Sequence, residues 1–354
     1  MITAAARAWR TFWFRPTRAY PLGLVRIAFG LLIVVWTASL LPDLHDLFGT
    51  GGIAPEPLRE PYRWTVFQIW PSDEALLVGW AVLLIAAIAM TVGWHSRLAA
   101  IVVLVLVLSF QFRNPSAFNS GDVVIRVEAF YLALAPSGAA LSLDQRRRTG
   151  SFWSAQTRAP WVIRLLQLQL SIIYLASVRS KLSGHAWSDG TAVSYALRLD
   201  DMLLLPTPDV FSTNPLIVNV ATWGTVALEL SLGILVWNKR LRPWVLAAGV
   251  MMHTIIALTI NVGFFSPAMM VLYLAFAPST LVRDLPGTIR QRLDRTSRDD
   301  RAGRPGGGGG DNYSDSPFAS SSPPAACLAS SRFRILPVGL RGSSSRKITS
   351  RGTL

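Results

Sequence analysis

ALLVGWAVLLIAAIAMTVGWHSRLAAIVVLVLVLSFQF, residues 75–112, decides the fold class. Between Glu74 and Arg113 it carries one formal charge, Arg97, and the turn at Trp94 and His95 divides it into two apolar runs, 75–93 and 96–112. At about 1.5 Å per residue, each run is close to the ~30 Å of a bilayer's hydrocarbon core. Lipid offers no partner for backbone N–H and C=O groups, so a chain crossing it must satisfy them internally, as a helix does. Two such runs joined by a tight turn read as a hairpin that crosses and returns.

Working outward, six further apolar segments occur at about 22–41, 121–137, 161–179, 215–236, 243–261 and 264–281, which makes eight with the hairpin. The expected fold is therefore all-α, a polytopic membrane protein with about eight transmembrane helices. Composition agrees: 15% of residues are charged, against about a quarter in a soluble protein, so too few remain to cover a water-facing surface. The segment at 121–137 stands apart because Asp122, Arg126 and Glu128 occupy its first half.

The net charge of +14 acquires meaning only from where the cations fall. With the N terminus inside, Arg7, Arg10, Arg15, Arg18, Arg97, Arg146–Arg148, Arg158, Lys239, Arg240, Arg242 and Arg283 all face the cytoplasm, as the positive-inside rule asks. Asp43, Asp46, Glu56, Glu60, Asp73, Glu74, Asp189, Asp200, Asp201 and Asp209 then fall outside. The expected topology is N-in and C-in, with long external segments at 42–74 and 180–214. The second of these reads as an interfacial helix, with Trp187 and Tyr195 among polar residues. From 284 onward the composition turns to Arg, Ser, Gly and Pro, including GGGGG at 306–310, which divides the chain into a transmembrane domain, 1–283, and a disordered basic cytoplasmic tail, 284–354. Cations spread over loops and tail form no compact recognition face, so nucleic acid is excluded as a partner and membrane lipid is expected. His45, His95, His185 and His253 are far apart and Cys327 is the single cysteine, so no metal site is expected. There is no P-loop, no dinucleotide fingerprint and no nucleophile elbow.

Ionisable groups inside apolar segments are the candidates for chemistry, because unpaired charge in hydrocarbon is costly. Arg26, near the inner start of its segment, and Glu229, about 21 Å from the outer start of its own, are expected at similar depth as a structural ion pair. A second group gathers toward the outer face. Asp122 and Arg126 lie one turn apart and are expected to pair, Asn119 precedes them, Lys181 follows the fifth segment with Trp187 close behind, and His253 lies about 12 Å deep. An ammonium, an imidazole, a carboxylate and an aromatic wall would make an outward-facing pocket in which Lys181 and His253 are the catalytic candidates and Asn119, Asp122, Arg126 and Trp187 the ligand-binding ones.

LGLVRIAFGLLIV around Arg26, FRNPSAFNSGDVVIRVEAFYLALAP around Asn119 to Arg126, SIIYLASVRSKLSGHAWSDGTAVSYAL around Lys181, ELSLGILVWNKRLRP at Glu229 and HTIIALTINVGFFSPAMM at His253 resemble one family in order and character. It is the horizontally transferred transmembrane, or HTTM, family, related to the membrane part of vitamin K-dependent gamma-carboxylase. The resemblance implies a membrane-embedded site for a reduced isoprenoid quinone, with the quinol-deprotonating lysine at Lys181 and Leu182 and Trp187 as its context. Ser180 stands where the carboxylase has a second lysine, and the interval to Trp187 is one residue longer. The low-complexity tail in place of a lumenal substrate domain turns the expectation from a protein substrate toward a quinone or another lipid. A noncatalytic binding or assembly protein is the alternative, and a transporter would require an internal repeat that the sequence does not display.

The charge distribution generates a test of topology. On a Cys327→Ser background, single cysteines in 42–74 and 180–214 are expected to react with an impermeant maleimide added outside, and a cysteine in 144–160 only after the membrane is opened. External labelling of the 144–160 loop would reverse the arrangement.

Overall fold

The computed structural model describes residues 2–56 and 61–284, so the segment read as a basic tail lies outside the described residues but for its first. An amphipathic helix, α1 (Ile2–Phe14), leads through the short strand β1 (Thr17–Arg18) into α2 (Tyr20–Ser39). After α3 (Leu44–Phe48), the hairpin read from the sequence folds as α4 (Asp73–Val92) and α5 (Ser96–Arg113). Then come α6 (Ser120–Leu134), α7 (Leu143–Thr149), β2 (Thr157–Arg158) and α8 (Trp161–Leu182). Three short helices, α9 (His185–Ser188), α10 (Ala192–Ala196) and α11 (Val210–Thr213), precede α12 (Pro215–Ile234), α13 (Arg242–Thr259) and α14 (Phe265–Tyr273).

Helices α2, α4, α5 and α6 pack in chain order, α8 lies along α12, α12 meets α13, and α14 is wedged among α2, α6, α8 and α13. Ala268, Met269 and Leu272 of α14 are wholly enclosed. The connections sort to two ends. At one end β1 pairs antiparallel with β2, and the α4–α5 turn meets the start of α7; at the other, Asn119 reaches Val262, and Leu203 bridges Ile260.

Among the described residues, six helices are long and apolar enough to cross a membrane: α2, α4, α5, α8, α12 with its 3-10 extension to Trp237, and α13. The eight expected therefore resolve into six of full length and two shorter ones. The 121–137 segment is the 15-residue α6, and the 264–281 segment is the 9-residue α14 with a 3-10 turn over Leu274–Phe276. Both stop for one reason. Ala135 and Ala277 have extended backbone, ψ 149° and 131°, and each precedes a proline, whose ring excludes the helical conformation from the residue before it. Two boundaries also move: α8 continues through Leu182, which puts Lys181 inside the helix, and the 180–214 segment forms three short helices rather than one interfacial helix.

The α4–α5 turn is the tightest point of the β1–β2 end. Gly93 and His95 both have positive φ, 75° and 45°. Asp144 clasps the turn: its carboxylate accepts from His95 N–H at 2.9 Å, Ser96 N–H at 2.8 Å and Ser96 Oγ at 2.7 Å, while its own N–H donates to Gly93 O at 2.9 Å. Partial burial pushes the Asp144 carboxyl up, but these donors outweigh it and hold the group below the usual carboxylate range. This contribution to stability is thus present above the ordinary carboxylate pKa and fades as pH falls through the lowered value. A Cβ at Gly93 would collide with Arg26 Nη1 and Ser142. Gly93→Ala is expected to lower the unfolding free energy by about 1–3 kcal/mol, from left-handed strain and displacement of Arg26. Denaturation in detergent reads this, and an unchanged midpoint would show that Arg26 is not held against the turn.

Candidate functional site

Ser177 and Lys181 are four residues apart and so share one face of α8. That face lies on α12, where Glu229 waits with only 8% of its side chain exposed. Lys181 Nζ donates to Glu229 Oε1 and forms a salt bridge with it, and Ser177 Oγ donates to Oε2 at 3.0 Å. Both carboxylate oxygens are engaged. Beyond the end of α8 the chain turns through a Gly184 N–H to Lys181 O bond of 2.9 Å into α9, whose Trp187 ring centroid lies 4.6 Å from Lys181 Nζ. The ammonium is therefore held between a carboxylate and a π face.

One turn before Ser177, Tyr174 begins a second polar chain that reaches across three helices. Its hydroxyl bonds to His253 Nε2 of α13 at 2.8 Å and to the Tyr273 hydroxyl of α14, and His253 Nδ1 lies 3.3 Å from Ser266 Oγ. Two hydrogen-bond orders are open to it. With Nε2 protonated the bonds run from histidine to Tyr174 to Tyr273; with Nδ1 protonated they run back toward Ser266. Gly249, one turn before His253, is what lets Tyr273 in, since a Cβ there would come within 2.7 Å of its hydroxyl.

The expected outer pocket is thus divided. Lys181 and Trp187 meet at Glu229, and His253 stands beside them through Tyr174. Asn119 and Asp122 instead build the start of α6: Asn119 Oδ1 accepts from Gly121 N–H at 2.7 Å, and Asp122 Oδ2 accepts from Asn119 N–H at 2.8 Å. Asp122 Oδ1 accepts from Trp36 Nε1 at 2.7 Å. With both of its oxygens taken, Asp122 does not pair with Arg126, which lies over the Phe112 ring at 5.3 Å. This group meets the α13–α14 turn, where Asn119 Nδ2 donates to Val262 O at 3.4 Å.

The expected Arg26–Glu229 pair does not form. Arg26 is wholly buried and donates through Nη2 to the Leu141 carbonyl, at the β1–β2 end of the bundle, while Glu229 takes Lys181 as its cation. A backbone carbonyl leaves no mark in the sequence, and the partner of Glu229, Lys181, lies two residues beyond 179, the end expected for its segment. Tyr174, Ser177, Tyr273 and Ser266 were missed because only formally charged residues had been sought in the apolar segments; the i, i+4 spacing of Ser177 and Lys181 is the signal that points to them. Glu128, fully enclosed on α6, has no hydrogen-bond partner among the described residues. No cluster of three His, Cys, Asp or Glu side chains placed to hold a metal occurs among the described residues.

The family model for the HTTM domain matches residues 14–280, and the chain belongs to that family. Over 127 residues it is also 28% identical to the uncharacterized protein YitO of Bacillus subtilis (strain 168), a match that covers 33% of this chain and 40% of that relative. The chain therefore matches well under two thirds of the relative's length. No solved structure matches it.

The Tyr174 hydroxyl is the hinge of the second chain. Tyr174→Phe is expected to lower stability by about 1–3 kcal/mol, because it removes the hydroxyl that partners His253 Nε2 and the Tyr273 hydroxyl. In a cycle with Tyr273→Phe the losses should fall short of additive, with a coupling of about 0.5–3 kcal/mol. Strictly additive losses would mean that the two hydroxyls do not act together.

Proposed function

We propose that this HTTM protein is a multi-pass membrane enzyme that acts on a reduced quinone or another lipid, whose polar head meets Lys181 near the end of the bundle carrying α9–α11. The observation behind the reading is a salt bridge between Lys181 and Glu229, roofed by Trp187, within a bundle of apolar helices. Such a pair is costly to bury and is retained in a membrane chiefly where chemistry or ion movement needs it. The resemblance of the Lys181 to Trp187 segment to the carboxylase site points the same way.

The chemistry follows from the pair. Passing one proton from the Lys181 ammonium to Glu229 leaves a neutral amine and a neutral carboxylic acid. The amine lone pair then takes the proton of a hydroquinone hydroxyl: an N–H bond forms, the O–H bond breaks, and the quinol becomes an anion beside the restored ammonium. Trp187 offers a face on which a planar ring can stack. Tyr174 and His253 hold α8 against α13 and α14 and fix the depth of Lys181.

In this reading the N terminus and the segment after 283 are cytoplasmic, the short α6 and α14 complete eight crossings, and residues 284–354 form a basic tail outside the membrane domain. The concentration of arginine at the end that carries β1 and β2 supports that orientation.

A noncatalytic reading draws on one observation: both Glu229 oxygens and the Lys181 ammonium already have protein partners, as a pair that only specifies helix packing would. Lys181→Met separates the two. Lipids co-purified with the wild type are identified by mass spectrometry, and reduced benzoquinones and naphthoquinones are then offered to both proteins. The variant should stay inserted while turnover falls by about 10²- to 10⁴-fold, the usual loss on removing a general base. Equal turnover would remove Lys181 as the base. Absence of bound quinone and of turnover in the wild type would leave the packing reading.

A further inference from the structure

The β1–β2 end holds a recess that the chemistry at Lys181 does not use. The clip pairs Thr17 with Arg158 and Arg18 with Thr157, and is extended by an Ala19 N–H to Gln156 O bond of 3.0 Å. Beneath it lies a shallow open groove, with Arg18 and Arg158 at its rim and Leu22, Val162 and Ile163 on its floor.

Three features of the recess agree on the sign of its occupant. Both arginines are exposed, and neither forms a salt bridge among the described residues; the partner of Arg158 is the neutral Gln156 side chain. Two membrane-length helices, α2 and α8, begin in the recess, and their N-cap residues, Ala19 and Pro160, supply no side-chain cap. Their first N–H groups and the positive ends of their dipoles are thus left for an anion. The floor is apolar. A soluble anion would satisfy the rim and waste the floor; a neutral lipid would cover the floor and leave two cations and two helix starts unanswered.

We propose that this recess binds an acidic glycerophospholipid, its phosphate held between Arg18 and Arg158 and its upper acyl chains lying on Leu22, Val162 and Ile163. Occupied in this way, the lipid adds a link between the start of α2 and the start of α8, beside the clip and the Tyr20 hydroxyl to Trp153 carbonyl bond.

The test uses the full chain in nanodiscs or native mass spectrometry, with phosphatidylglycerol and phosphatidylcholine of matched acyl chains as probes. Wild type should retain phosphatidylglycerol in preference, and the more so at low salt. In the Arg18→Gln, Arg158→Gln variant that affinity should fall by about thirtyfold, since a basic residue at an anionic lipid surface contributes a factor of about five. Arg147→Gln with Arg148→Gln removes the same charge from the exposed face of α7 and should leave retention unchanged. Ile163→Ser keeps both cations and should still weaken the lipid severalfold, which preserves the test if the double variant folds poorly. Equal retention of the two lipids by wild type, an equal loss in the α7 control, or full displacement of the lipid by inorganic phosphate at matched concentration would each overturn the proposal.

Discussion

In hydrocarbon a charged side chain must find its counter-charge within the protein, and the Lys181–Glu229 pair is where this requirement is met at greatest consequence. Removing either partner would leave the other buried and uncompensated, a loss of about 3–5 kcal/mol where such pairs have been broken. The pair therefore fixes the register of α8 on α12. Its surroundings conform: Ser177 occupies the second oxygen, and Gly233 lets α12 approach so closely that a Cβ there would lie 3.1 Å from the Leu175 side chain. The α9 helix closes over the ammonium with Trp187, and Tyr174, on the same stretch of α8, ties in α13 and α14.

The opposite end answers the same requirement differently. Arg26 is as deeply enclosed as any residue in the protein, yet it is met by the Leu141 carbonyl, and the loop that presents this carbonyl is held by the Asp144 clasp. Charges near the β1–β2 end can be served by backbone, because helices there give way to loops with free carbonyls. Glu229, inside α12, is met by the side chains of Lys181 and Ser177, since the helical backbone around it is already committed to itself.

That difference explains how much could be read from the sequence. Apolar length, the sorting of arginine and the resemblance carried by the Lys181 and His253 segments depend on local composition, and they led to the polytopic helical fold and the family. The partner of Arg26 did not emerge, because an acceptor on the main chain has no residue type. Glu229 was assigned the wrong cation because depth along a helix was judged from segment ends, and α8 runs three residues past the end assumed for it. The shortening of two segments to α6 and α14 was legible in principle, since Pro136 and Pro278 stand in plain view. Apolar side chains continue across those prolines, and hydropathy registers the side chains and not the broken backbone.

The asymmetry within the central pair bears on what the pair is for. A pair that reacts with a ligand needs one partner open to it, whereas a pair that only packs needs neither open. The Lys181 side chain is 19% exposed and that of Glu229 8%, so the open side of the pair is the nitrogen. Glu229 is further screened by Ser177, while the exposed flank of the ammonium is bordered by an aromatic plane. A lipid head arriving from the α9 side would meet the amine and the indole before it met the carboxylate. In the proposed mechanism the carboxylate, shielded behind them, would receive a proton from Lys181 without itself contacting the ligand.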